Sequence, residues 1–133
     1  MGVPVATMNS QVVAVDTHIV LVPSPGGPVP TPLPHPFSGA VQGATIPTVK
    51  VGGQPVAVLG SIALNQPPHI PTPPGTGFQV PPANQGDIAM ASVTVNAGGK
   101  GVARIGDSVN TCNDPAPTPA GSLVAPAGTV FAG

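Results

Sequence analysis

A chain of 133 residues with 21 prolines and 18 glycines, no glutamate and only three Lys or Arg lacks the helix formers and surface charge pairs of a helical bundle or coiled coil. Its 41% hydrophobic and 5% charged content, at a net charge of -1, is the reverse of a disordered composition, so residues 1–133 are expected to form one compact domain. With no basic patch, no Trp or Tyr and three Phe, the chain has neither the phosphate-neutralising charge nor the stacking platforms of a nucleic-acid binder.

The opening Met-Gly-Val-Pro-Val-Ala-Thr lacks the basic segment and apolar stretch of a secretory signal, and Ala6 breaks the myristoylation pattern, so synthesis in the cytoplasm is expected. The strongest apolar run, Ile19 to Val22, is far shorter than the roughly 20 residues that span a bilayer. Residues 11–22 are Pro-free and dense in β-branched side chains, which predicts a strand or a tight pair of strands. From Pro23 to Pro36 every second or third residue is Pro, which predicts an extended rim or loop rather than a strand inside a sheet. Residues 43–61 read as strand, Gly52-Gly53 turn and returning strand. Pro67 to Pro82 has the character of the first Pro-rich stretch.

Residues 86–108 repeat the strand, Gly-Gly turn and return, with Pro55-Val-Ala-Val-Leu-Gly-Ser61 lying over Gly101-Val-Ala-Arg-Ile-Gly-Asp107. A shorter third copy, Gly121 to Gly133, has a leading Gly and a closing strand but no return arm. The expected fold is all-β: a small conical domain of short hairpins with an approximate internal threefold layout and Pro/Gly-rich loops.

One cysteine, Cys112, rules out an internal disulfide, and a core this poor in aromatic residues calls for another staple. His18, His35, His69 and Cys112 make up a complete tetrahedral zinc set by residue type, although four distant segments must converge to form it. The plainer alternatives are a buried, hydrogen-bonded His18, surface positions for His35 and His69, and an inert Cys112 thiol. A three-His site with an open position can activate water, with Asp16, Asp107 or Asp114 as base, which gives a small zinc-dependent hydrolase as the alternative function. A Cys in the fourth position closes such a site, no nucleophile elbow or phosphate loop is present, and Gly98 to Gly101 reads as a hairpin turn. Asp107 in Ile-Gly-Asp-Ser reads as a turn residue, and no enzyme is expected.

Asp16-Thr17-His18, the paired hairpins of Val49 to Ala57 and Val93 to Cys112, the ending Gly-Thr-Val-Phe-Ala-Gly and the stretch Pro-Gly-Gly-Pro-Val-Pro-Thr-Pro-Leu-Pro-His-Pro resemble the PAAR-repeat and PAAR-like spike-tip family. The resemblance covers nearly the whole chain. It implies a sharp β-rich cone, one copy of which caps a homotrimeric VgrG-like spike in type VI secretion systems, contractile phage tails and related injection particles. It also implies Zn2+, with iron as the alternative, held by His18, His35, His69 and Cys112. Effector proteins and transient contact with a target membrane are further implied partners, as are assembly into the particle and delivery outside or into a target cell. The chain departs from the family in Pro55-Val-Ala-Val58 and Gly101-Val-Ala-Arg104, which stand for Pro-Ala-Ala-Arg, and in Thr17-His-Ile-Val20, which stands for Thr-His-Gly-Gly. A tip without a fused toxin domain is expected.

Overall fold

A computed structural model describes residues 2–114, 116–125 and 130–133 of the chain. Among the described residues there is no helix, as the composition predicts. The strands are β1 (Val3–Pro4), β2 (Gln11–Val22), β3 (Val29–Gly43), β4 (Ile46–Val51), β5 (Gln54–Val56), β6 (Ile62–Asn65), β7 (Gly77–Phe78), β8 (Gln85–Ile88), β9 (Asn96–Ala97), β10 (Lys100–Gly101), β11 (Ser108–Thr111), β12 (Thr118–Ala125) and β13 (Phe131–Ala132). Strands β2, β3, β6, β8, β11 and β12 pair antiparallel in that order, and β12 returns to β2, closing a six-stranded barrel. Closure leaves the barrel proper without a free edge.

The internal layout is threefold. Pro4-Val5-Ala6-Thr7-Met8-Asn9-Ser10, Pro55-Val56-Ala57-Val58-Leu59-Gly60-Ser61 and Gly101-Val102-Ala103-Arg104-Ile105-Gly106-Asp107 occupy equivalent places. The Ala6 N–H donates to Ala103 O, that of Ala103 to Ala57 O, and that of Ala57 to Ala6 O, at 2.8, 2.9 and 3.0 Å, so three alanines close a ring of backbone hydrogen bonds. All three are fully buried, since any larger side chain there would meet its two counterparts. Each copy then makes the same tight turn, with Asn9, Gly60 and Gly106 at φ of 75°, 88° and 95°. The residue that follows accepts a backbone N–H three positions back: Thr7 N to Ser10 Oγ, Val58 N to Ser61 Oγ and Arg104 N to Asp107 Oδ2, at 3.0, 3.0 and 2.8 Å. Ser61 is fully buried and also donates to Ala44 O. Ser61→Ala strands the buried Val58 N–H and is expected to cost about 1–3 kcal/mol in urea denaturation, with an unchanged midpoint as the contrary result.

The third copy is split between the two ends of the chain. Its return arm, absent from residues 121–133, is β1, which pairs with β13 as β5 does with β4 and β10 with β9. Residues 126–129 of that copy, which include Gly128 and Thr129 of the closing motif, lie outside the described residues. The repeat register also shifts. Val41, Ile88 and Leu123 accept the N–H groups of Asn9, Gly60 and Gly106, so Gly86 matches Gly39 rather than Gly43. Beneath the ring, Val5, Val56, Val102, Val51, Ala97 and Ala132 form a second, smaller core.

The first Pro-rich stretch corrects a sequence expectation. Pro30, Pro32, Pro34 and Pro36 lie inside β3, which pairs with β2 over twelve positions from Val22↔Val29 to Gln11↔Ala40. The ladder tolerates them because they fall on alternate residues. Ser38, of the same parity, turns its N–H to Asn65 Oδ1 and its carbonyl to Gln66 N, and Pro34 O accepts from Thr72, all away from β2. The prolines therefore face the side on which β6 pairs only from Gly39 onward, where a missing N–H costs no ladder bond. Their rings are exposed, while Leu33, His35 and Phe37 turn inward. The second stretch, 67–82, is a loop as expected, apart from β7, which pairs with Val20 and Leu21 of β2, beyond the part that β12 covers.

Candidate metal centre

Period-two geometry in β2 aims Asp16 and His18 at the same face, and both are buried in the barrel mouth opposite the alanine ring. Asp16 lies five residues beyond Gln11, about 17 Å along the strand. Cys112 follows the end of β11, and His69 comes from the loop after β6, where Asn84 Oδ1 takes its backbone N–H at 2.7 Å. His35 pairs with Asp16 across β3 and β2. The three imidazoles meet at ring-centroid separations of 4.8, 5.3 and 5.6 Å, so all four residues singled out in the sequence reach one place.

Their ligand atoms are not equally disposed. Asp16, His18, His69 and Cys112, all buried, bring one ligand atom each within 4.8 Å of one another and form a group that can hold a metal ion. His69 Nε2 is 3.1 Å and Cys112 Sγ 3.5 Å from Asp16 Oδ2, and Cys112 Sγ is 3.8 Å from His18 Nε2. Asp16 Oδ1 is held by the Thr111 hydroxyl and by Asn113 Nδ2, which fixes the carboxylate plane. His35 stands beside this group rather than in it. Its Nδ1–H donates to Leu33 O at 2.9 Å, so Nε2 carries the lone pair and accepts the Thr72 N–H at 3.1 Å.

Burial governs the electrostatics. It lowers the pKa of His18 and of His35, with His69 adding to the effect on His18, and it pushes the Cys112 thiol up to about 11, with Asp16 adding to that shift. His18 Nδ1 is buried without a hydrogen bond, and Asp114 Oδ2 lies 3.5 Å from it. With Nε2 turned to the cluster, His18 is arranged as a ligand whose outer nitrogen faces a carboxylate, the usual support of a metal-bound imidazole. By type, burial and supporting contacts the residues therefore fit a metal ion.

The other carboxylates weighed as bases are tied to neighbours. Asp107 is the turn residue expected of it, bonded to the Arg104 backbone and guanidinium. Asp114 Oδ2 accepts the Ile19 N–H at 3.0 Å. Asp16, weighed in the sequence as a base and not as a ligand, stands in this group; its Asp-x-His spacing within a strand is the signal that places it beside His18. No protein-family model matches the chain, and no characterised protein matches it in sequence.

Proposed function

We propose that the chain is the structural tip of a contractile injection machine. One copy caps the end of a homotrimeric VgrG-like β-helical spike, and Zn2+, or iron in its place, staples the opposite end. The observation that carries this reading is the closed threefold ring of Ala6, Ala57 and Ala103, which gives a single chain the symmetry of a trimer. A trimeric β-helix ends in unpaired strand edges, and a threefold monomer can meet each of them in the same way.

The surface around the ring supports it. Val49, Val95 and Val130 each stand two residues before the buried Val51, Ala97 and Ala132, and they are 41%, 40% and 50% exposed. They give three repeat-equivalent exposed apolar positions, as a threefold docking face requires. At the other end residues 17–43 and 62–86 carry no charge, and the two carboxylates there, Asp16 and Asp114, face histidines, which lowers the desolvation cost of meeting a membrane. The outward row of prolines along β3 stiffens that end.

The test is to mix the protein with the homotrimeric spike of the same genome and measure mass by light scattering. One chain per trimer is expected; no complex, or three chains per trimer, overturns the reading. Val95→Asp should abolish the complex while leaving folding stability within about 0.5 kcal/mol, because the side chain is already exposed.

A further inference from the structure

The geometry points to Asp16 as a metal ligand: we propose the coordinating set Asp16 Oδ2, His18 Nε2, His69 Nε2 and Cys112 Sγ, with His35 outside it. This inference rests on the metal-stapled reading above and differs from the three-histidine set that the resemblance implies.

Three observations carry it. Zn–N and Zn–O bonds of about 2.0–2.1 Å and one Zn–S bond of about 2.3 Å place tetrahedral ligand atoms roughly 3.3–3.6 Å apart. The separations of 3.1, 3.5 and 3.8 Å among the Asp16, His69, Cys112 and His18 atoms already approach this spacing. Secondly, Asp16 is fully buried, and Thr111 and Asn113 engage its Oδ1, leaving Oδ2 aimed at the cluster. Thirdly, both His35 nitrogens are engaged by backbone, and coordination through Nε2 would leave the Thr72 N–H without its partner. Charge agrees with this assignment. One carboxylate and one thiolate neutralise a divalent cation, so the buried assembly carries no net charge. His35 then acts as a positioning residue that ties the 67–82 loop to β3 through Thr72.

The experiment uses the full chain with Zn2+ as the only added metal. X-ray absorption at the zinc edge of the wild-type protein is expected to show two imidazoles, one sulfur and one further oxygen. Zn2+ titration is expected to show a loss of more than ~100-fold in affinity for Asp16→Asn and a smaller one, within ~100-fold, for His35→Gln, since outer partners of a metal site change affinity about 10–100-fold. Three imidazoles in the spectrum, or unchanged affinity in Asp16→Asn with loss in His35→Gln, overturns the ligand assignment and leaves the metal staple standing. A wild-type protein that binds no Zn2+ overturns both. If Asp16→Asn does not fold, the wild-type spectrum alone decides.

Discussion

Gly39→Ala is expected to leave little folded protein. An added Cβ would lie 1.8 Å from Leu64 O and 2.5 Å from Leu64 C, both backbone atoms of the adjacent strand. Gly39 pairs with Asn65 and Ala40 with Leu64, so β6 cannot retreat without breaking its ladder, and a closed barrel offers no free edge toward which the strands can splay. The expected loss exceeds about 4 kcal/mol, a large share of the 5–15 kcal/mol that holds a typical domain together. The threefold relatives should grade downward. At Gly86 the added carbon would sit 2.8 Å from the Asn110 carbonyl oxygen, and at Gly121 2.9 Å from the Thr111 methyl, which can give way more cheaply. Gly26→Ala, where nothing lies within 4 Å, is the control and should stay within about 0.5 kcal/mol of wild type. Urea midpoints for the four variants check this. A native midpoint for Gly39→Ala would mean that the β3–β6 contact is not as described.

The threefold plan was partly legible because residues 55–61 and 101–107 carry the same Val-Ala pair, turn and capping side chain at equal spacing. Pro4 to Ser10 carries it as well, but its partner strand lies at the far end of the chain, and a search for consecutive repeats finds two and a half copies instead of three. Proline density alone argued against a strand at 23–36. The decisive information was its phase: prolines at 30, 32, 34 and 36 remove donors from one side of the strand only, and that side is open to the loop. For the metal centre, residue type nominated His18, His35, His69 and Cys112, whose separation along the chain gave no spacing motif to confirm them. Asp16 was hidden because carboxylates are ambiguous by type, and only strand parity puts it beside His18. What separates His35 from the ligands is the Thr72 N–H, a contact from a loop whose path no local pattern specifies.

Removing the metal is expected to produce the largest change in stability that leaves the sequence intact. An ion present at about 1,000 times its Kd stabilises the folded state by ~4 kcal/mol, which for a domain of this size corresponds to a drop of roughly 10–15 °C in Tm on chelation. Cys112→Ser should show the lower Tm with and without chelator, because the site has lost its thiolate. The pH response has a definite sign. His18 and His35 have folded pKa values below their ordinary 6.5, so the unfolded chain binds more protons as pH falls through that value, and stability falls with it. Protons compete with the metal for the same imidazoles, which steepens the loss in the loaded protein. At the alkaline end the two forms diverge. The metal-free Cys112 thiol, raised from 9.0 to about 11, holds its proton in the fold while the unfolded thiol ionises, so metal-free stability declines as pH rises from 9.0 towards 11. In the loaded protein Cys112 is already a thiolate, and that proton linkage disappears. Thermal melts with and without chelator at acidic, neutral and alkaline pH check both arms, and a chelator-insensitive Tm throughout would remove the metal from the account. Because the thiol is protonated in the metal-free fold near neutral pH, loading with Zn2+ must expel its proton. Dye-monitored titration in weak buffer should therefore record about one proton released per ion bound through Cys112, and none in Cys112→Ser.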